Sequence, residues 1–252
     1  MKYAIFLGAG ASASCGAPVQ NNLFKEYFKN RSNISRRHCF DADKMATFFC
    51  SQFGINVEEG NLDNVDFPTF EEVLGILDLA LAKDESFREC GLASEDHNPS
   101  NSISQLRQMV VDLMAYTIYH QVNFVENKHK ELIRSLDSNK LLDDCFFIST
   151  NYDILIDNAI TDKGHSIDYG CHMVNHAFCV ENEFNSNVKT IPLYKIHGSL
   201  NWLYCPTCNE MTLTCGKGAI DGEKKSCDTC KGLMQKIIIP PTYFKNFNNY
   251  FL

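Results

Sequence analysis

Twelve of the 252 residues are cysteine, and four of them are spaced for metal chemistry. Cys205-Pro206-Thr207-Cys208 and Cys227-Asp228-Thr229-Cys230 form two C-x2-C knuckles with eighteen residues between them. Two such knuckles can present four thiolates in a tetrahedron, which suits zinc. The intervening stretch carries Cys215, Gly216, Gly218 and Gly222 and few core residues. A segment of that kind needs a staple, and structural zinc supplies on the order of 10–16 kcal/mol in isolated peptides. Four protein ligands leave no position open for a substrate, so the expected metal is structural.

Three other clusters could act on a ligand. Gly8-Ala9-Gly10-Ala11-Ser12 follows the apolar run Ile5-Phe6-Leu7. A glycine turn between a strand and a helix brings backbone N–H groups up to a phosphate. The dinucleotide fingerprint would place a third glycine where Ala13 stands, so a tight packing turn is the competing reading. Thr150-Asn151-Tyr152-Asp153 follows Cys145-Phe146-Phe147-Ile148-Ser149. Polar residues after a buried strand are where open α/β sheets hold ligands, although Asn151 or Asp153 could equally cap the next helix. His197 follows Ile191–Ile196 and precedes Gly198, a context that can present its ring to a cleft.

The elements that must carry these residues read as follows. Strands are expected at Lys2–Leu7, Cys145–Ser149, Ile191–Ile196 and Lys236–Ile239, with a brief one near Ile167. A helix-like stretch begins near Val19, with Leu23, Phe24, Tyr27 and Phe28 at helical spacing. Met45, Phe48, Phe49 and Phe53 suggest another. Residues 54–66 read as a polar loop. Thr69 and Glu72 after Pro68 form a capping box for a helix with Phe70, Val73, Leu74, Leu77 and Leu81 on one face. A long helix from Ile103 toward Phe124 follows a Ser/Asn-rich loop, and Leu155, Ile156, Ala159 and Ile160 mark one after Asp153.

An apolar share of 44%, a charged share of 21% and a net charge of −8 describe an ordinary globular chain without the basic footprint of a nucleic-acid binder. The one basic cluster, Arg31, Arg36, Arg37 and His38, reads as solvated surface. Neither a membrane span nor a cleavable leader is visible. Cysteines without a leader point to a reducing compartment, with cytoplasm the default.

Taken together and in this order, the pieces resemble the sirtuin family: Gly-Ala-Gly-x-Ser, Ser-Thr-Asn-Tyr-Asp-Ile-Leu, Lys-Ile-His-Gly-Ser, the paired C-x2-C, and an Ile-rich strand ending at Pro240. The resemblance implies an α/β fold with a Rossmann-like parallel sheet (1–39 and 141–203), a mainly helical insertion (40–140), a small zinc-ribbon module (204–235) and a return to the core (236–252). It implies NAD+ as ligand. Gly8, Ala9, Gly10, Ala11 and Ser12 would cradle the pyrophosphate and adjoining ribose, with Thr150 beside them. Asn151 and Asp153 would flank the nicotinamide ribose and carboxamide, and His197 would be the base.

Three departures refine this. Gly16-Ala17-Pro18 matches the deacylase pattern, but Val19-Gln20-Asn21 replaces its Asp-Phe-Arg, and Thr150 stands where deacylases carry Gln. These changes, with Pro240-Pro241-Thr242, make the chain similar to the sirtuin-like NAD hydrolases of bacterial anti-phage defence. The expected activity is therefore NAD+ hydrolysis to nicotinamide and ADP-ribose, in a homo-oligomer working with a second defence protein or domain. An NAD-dependent protein-lysine deacylase and a non-catalytic NAD or ADP-ribose sensor are the alternatives. Thirdly, the family continues with a further strand and Gly/Ser loop, so the chain is expected to be part of a longer protein.

Overall fold

The computed structural model describes residues 2–35, 42–58, 61–83, 85, 87, 99–122, 126–174, 189–214 and 226–239. In chain order the first elements are β1 (Tyr3–Leu7), α1 (Ala9–Ala13), α2 (Leu23–Ser35), α3 (Ala42–Phe53), α4 (Phe70–Lys83), α5 (Pro99–Val122) and α6 (His129–Ser138). There follow β2 (Cys145–Ser149), α7 (Leu155–Asp162), β3 (Ser166–Asp168), β4 (Thr190–Lys195), β5 (Gly198–Tyr204), β6 (Met211–Leu213) and β7 (Gln235–Ile238). The chain divides into two units, one made of Met1–Ala17 with Gln121–Ile239 and the other of Pro18–His120.

The first unit is α/β, as its strand signals lead one to expect. Its four-stranded sheet has the order β1-β2-β4-β3 with every pair parallel. Such sheets need apolar runs. Phe147, Leu193, Ile191 and Ile167 supply them, packing with Ile133 of α6 and Ile156 and Ile160 of α7. The register sets Leu7 opposite Ser149 and Ser149 opposite Lys195, so β1, β2 and β4 end level at their carboxyl edges. A second sheet follows, with β5 antiparallel to both β6 and β7. Trp202 on β5 joins the same core and meets Tyr169 edge-on, ring centroids 5.2 Å apart.

The second unit is helical and rich in phenylalanine. Phe24 and Phe28 of α2 pack edge-on against Phe49 of α3, at 4.8 and 5.1 Å between centroids. The capping box forms reciprocally: Glu72 N donates to Thr69 Oγ1 at 3.2 Å, and Thr69 N donates to Glu72 Oε2 at 2.7 Å. Two orphan donors at the start of α4 are thereby satisfied.

Several expectations need correction. The first helix begins at Ala9, inside the glycine turn, well before Val19; near Val19 the chain makes a 3-10 turn (Gln20–Asn22) leading into α2. Two apolar residues of the expected polar loop, Ile55 and Val57, are buried. The seven-residue strand β5 directly after His197 has a mixed pattern, Gly-Ser-Leu-Asn-Trp-Leu-Tyr, buried on both faces apart from Asn201, and alternation gives no warning of it. Cys215, Gly216, Gly218, Gly222, Arg36, Arg37, His38 and Pro240-Pro241-Thr242 lie outside the described residues. No helix among the described residues is long and apolar enough to cross a membrane.

Candidate functional site

Level strand ends put the glycine turn, the Asn151 segment and His197 on one edge of one sheet. Gly8 directly follows β1, Thr150 and Asn151 directly follow β2, and His197 stands two residues beyond β4. The main chain continues the pairing past the strands. Thr150 N donates to Leu7 O at 3.1 Å, and Ile196 N donates to Ser149 O at 3.2 Å.

Asn151 joins the first two segments through its side chain. Its Nδ2 donates to Gly8 O and to Ser12 Oγ, each at 2.9 Å. Both amide hydrogens are thus committed to holding the turn. The glycines of that turn are not required by packing. Gly8 is extended (φ −95°, ψ −176°), a side chain there would meet Thr150 Oγ1 only at 4.0 Å, and one at Gly10 would meet nothing within 4 Å.

His197 is held by the main chain that follows β7. Its Nδ1 lies 3.1 Å from Ile239 O, and a carbonyl only accepts, so Nδ1 carries a hydrogen and in the neutral ring the lone pair falls on Nε2. That tautomer suits a general base. Tyr152 OH donates to the same carbonyl at 3.0 Å, and its ring lies 6.2 Å from the imidazole. Gly198 makes the placement possible. Its φ is +79°, and a Cβ there would run into the Ile237 carbonyl. The chain can therefore turn from β4 into β5 only with glycine at this point.

Asp153 is 4% exposed, and its Oδ1 accepts from Leu155 N at 3.0 Å at the start of α7. The capping reading is what this oxygen does. Beneath it lies a buried polar cluster that composition and spacing did not reveal. Lys195 Nζ donates to Asp153 O at 2.5 Å and to Asp157 Oδ2 at 3.1 Å, and Tyr169 OH donates to Asp157 Oδ1 at 2.6 Å. His129 is 5% exposed and within electrostatic reach of Asp153, Asp157 and Lys195. Burial pushes its imidazole below the usual histidine range, and the Lys195 charge adds to this against the pull of the two aspartates. The only sequence signals were a lysine inside an apolar strand and an aspartate one turn into α7.

The four paired cysteines come together: their sulfurs all lie within 4.8 Å of one another. Cys205 and Cys230 are 3.3 Å apart, and Cys208 and Cys227 3.6 Å. Thiolates 2.3 Å from a zinc would be about 3.8 Å apart, so the set has the dimensions of a tetrahedral site. Both knuckles share one backbone plan. Asn209 N donates to Cys205 O at 2.8 Å and Lys231 N to Cys227 O at 3.0 Å; Cys205 N and Cys227 N donate back to Glu210 O and Gly232 O. Asn209 and Lys231, the residues after each second cysteine, both take positive φ, +62° and +63°. Burial opposes ionisation of Cys205, but hydrogen bonds from the Cys208 and Thr207 main chain and from the Cys230 and Cys208 thiols bring it down to about 6. Cys208 is favoured as thiolate by the Glu210 main chain, yet burial and its three thiol neighbours push it up to about 12. Four thiols this close cannot all ionise unaided, and a divalent cation is what would let them.

No family model and no curated protein matches the chain. Among solved structures, a mutant Sir2 homologue in complex with ADP-ribose overlaps it at a TM-score of 0.37 and 16% identity, over 94% of this chain and 58% of that one. A structure described as the basis of sirtuin substrate affinity overlaps at 0.32 and 13%, over 94% and 59%. The chain thus spans under two thirds of the length of either. Overlaps at these scores carry no functional weight.

Proposed function

We propose that the chain is an NAD+ glycohydrolase of sirtuin-like type. One observation carries the reading: the glycine turn, Asn151 and His197, from three distant segments, meet at the carboxyl edge of three adjacent parallel strands. That edge is where open α/β sheets take nucleotides. Gly8, Ala9, Gly10, Ala11 and Ser12 would receive the pyrophosphate, using space that side chains at positions 8 and 10 would fill, with Thr150 beside them.

In the reaction, the bond between ribose C1′ and the nicotinamide nitrogen breaks with its electron pair going to nicotinamide. Water adds to C1′ and releases one proton, giving ADP-ribose. His197 Nε2 would take that proton, or hold a ribose hydroxyl. Asn151, its amide hydrogens spent on the turn, offers its Oδ1 to the ribose or the water. Asp153 would help place the carboxamide from the same turn. Positioning supplies most of the acceleration in such a site.

The cysteine set, Cys205, Cys208, Cys227 and Cys230, would hold a structural zinc and take no part in the chemistry. The domain limits given by the resemblance, a cytoplasmic setting, a homo-oligomer with a second defence protein or domain, and NAD+ depletion on infection all belong to this proposal and rest on the resemblance.

Incubating the protein with NAD+, with and without an acyl-lysine peptide, tests the reading. Nicotinamide and ADP-ribose should appear in equal amounts without peptide and be lost in His197→Ala. Nicotinamide release strictly dependent on peptide would mean a deacylase. ADP-ribose binding that survives His197→Ala, with no turnover in any condition, would mean a sensor.

A further inference from the structure

The cluster under the site contains a buried lysine–aspartate pair. Lys195 has a side chain 0% exposed and Asp157 one 5% exposed. A buried ion pair typically adds no stability over apolar residues of the same volume, because desolvation offsets the attraction. What the pair does here is geometric. Asp153 lies two residues after Asn151, and Lys195 two residues before His197. The Lys195 ammonium, bonded to Asp153 O and to Asp157 Oδ2, therefore joins the segment carrying one proposed site residue to the segment carrying the other. Tyr169 OH, bonded to the second oxygen of Asp157, fixes the carboxylate's rotation.

We infer that Lys195 is a positioning residue for the site, with Asp157 and Tyr169 as its support. Its ammonium sets the distance between the Asn151 turn and the His197 turn without touching substrate. The inference rests on the reading of that edge as an NAD+ site. A strained or loosened tie would leave nucleotide binding nearly intact and misplace the groups that act on C1′, so kcat should suffer and KM should not.

The test replaces the ion pair and its tyrosine by apolar residues of similar size, Lys195→Met/Asp157→Leu/Tyr169→Phe, so that neither partner of the pair is left charged without the other. Melting temperature and cysteine-bound metal content check that the variant folds. Two readouts follow: kcat and KM for NAD+, and the side-chain amide NMR signal of Asn151. A folded variant with kcat lower by about tenfold to a hundredfold, KM within threefold and a moved Asn151 signal bears the inference out. A folded variant with wild-type kcat and an unmoved signal overturns it. Should the triple variant not fold, Asp157→Asn takes its place: a fall in kcat at unchanged KM supports the tie, and wild-type kcat overturns it. If the unmodified protein does not turn over NAD+, the glycohydrolase reading fails by itself, and the Asn151 signal in the triple variant still decides whether Lys195 sets that turn.

Discussion

Gly10→Ala separates a turn made of small residues for packing from a turn left open for a ligand. Gly10 lies in α1 and has no positive φ, and a Cβ built on it meets nothing within 4 Å. Packing therefore does not resist the methyl. An alanine in place of glycine within a helix stabilises by roughly 0.5–1 kcal/mol. For a chain of this size that raises the melting temperature by about 1–4 °C. If a pyrophosphate occupies the space, the methyl stands where its oxygens approach the backbone, and affinity should drop at least about tenfold, or 1.4 kcal/mol. Calorimetric titration with ADP-ribose and a thermal melt of the same preparation give both numbers. The signature is a change of opposite sign, a more stable protein that binds more weakly. Unchanged ADP-ribose affinity would refute the cradle, and a lowered melting temperature would refute the claim that the fold leaves the position free.

Asn151→Asp keeps the shape but turns a donor to Gly8 O into an acceptor, so ADP-ribose affinity should fall at least as far as in Asn151→Ala, by about 1–3 kcal/mol for two bonds; equal affinity to wild type in calorimetry would count against the tie. Gly198→Ala combines positive-φ strain with a clash against Ile237 O and should destabilise by about 3–5 kcal/mol, read by denaturant unfolding. His129 and His165 are both held below the ordinary 6.5 by burial, His165 against the pull of Asp137. The unfolded chain takes up their protons first, so their stability is complete above about pH 6.5 and is lost as pH falls through the lowered values, at up to about 1.4 kcal/mol per pH unit each. Melting curves from pH 8 to 5 should show that slope, reduced in His129→Gln. Metal analysis should find about one zinc per chain, and chelation should lower the melting temperature; a metal-free preparation with the same melt would exclude the structural zinc.

What could be read from the residues follows how local each signal is. The strand at Cys145–Ser149 and the cysteine spacing depend on neighbours in the chain, and both stand as expected. The Thr69–Glu72 box needs only three residues and forms in full. Asn151, Asp153 and His197 were visible as polar residues after apolar runs, but not what each would touch. That Asn151 bonds Ser12 rather than capping α7 depends on strands paired far along the chain, whereas Asp153 serves that helix across only two residues. Lys195 was hidden for the same reason: its partner Asp157 belongs to another element, and in one dimension it looks like a surface lysine on a strand. The grip of Ile239 O on His197 left no trace at all, since any residue supplies a carbonyl.

The sheet order has a cost during synthesis. Tyr3 pairs directly with Cys145, so β1 leaves the ribosome roughly 140 residues before the strand it must lie against, about 7–28 s at ordinary elongation rates. Throughout that interval the main chain of Ile5, Phe6 and Leu7 lacks its strand partner, and pairing across so large a separation is slow in itself. Among the described strands β1 thus waits longest for its partner, and the edge that gathers the glycine turn, Asn151 and His197 cannot form until all three segments have been made.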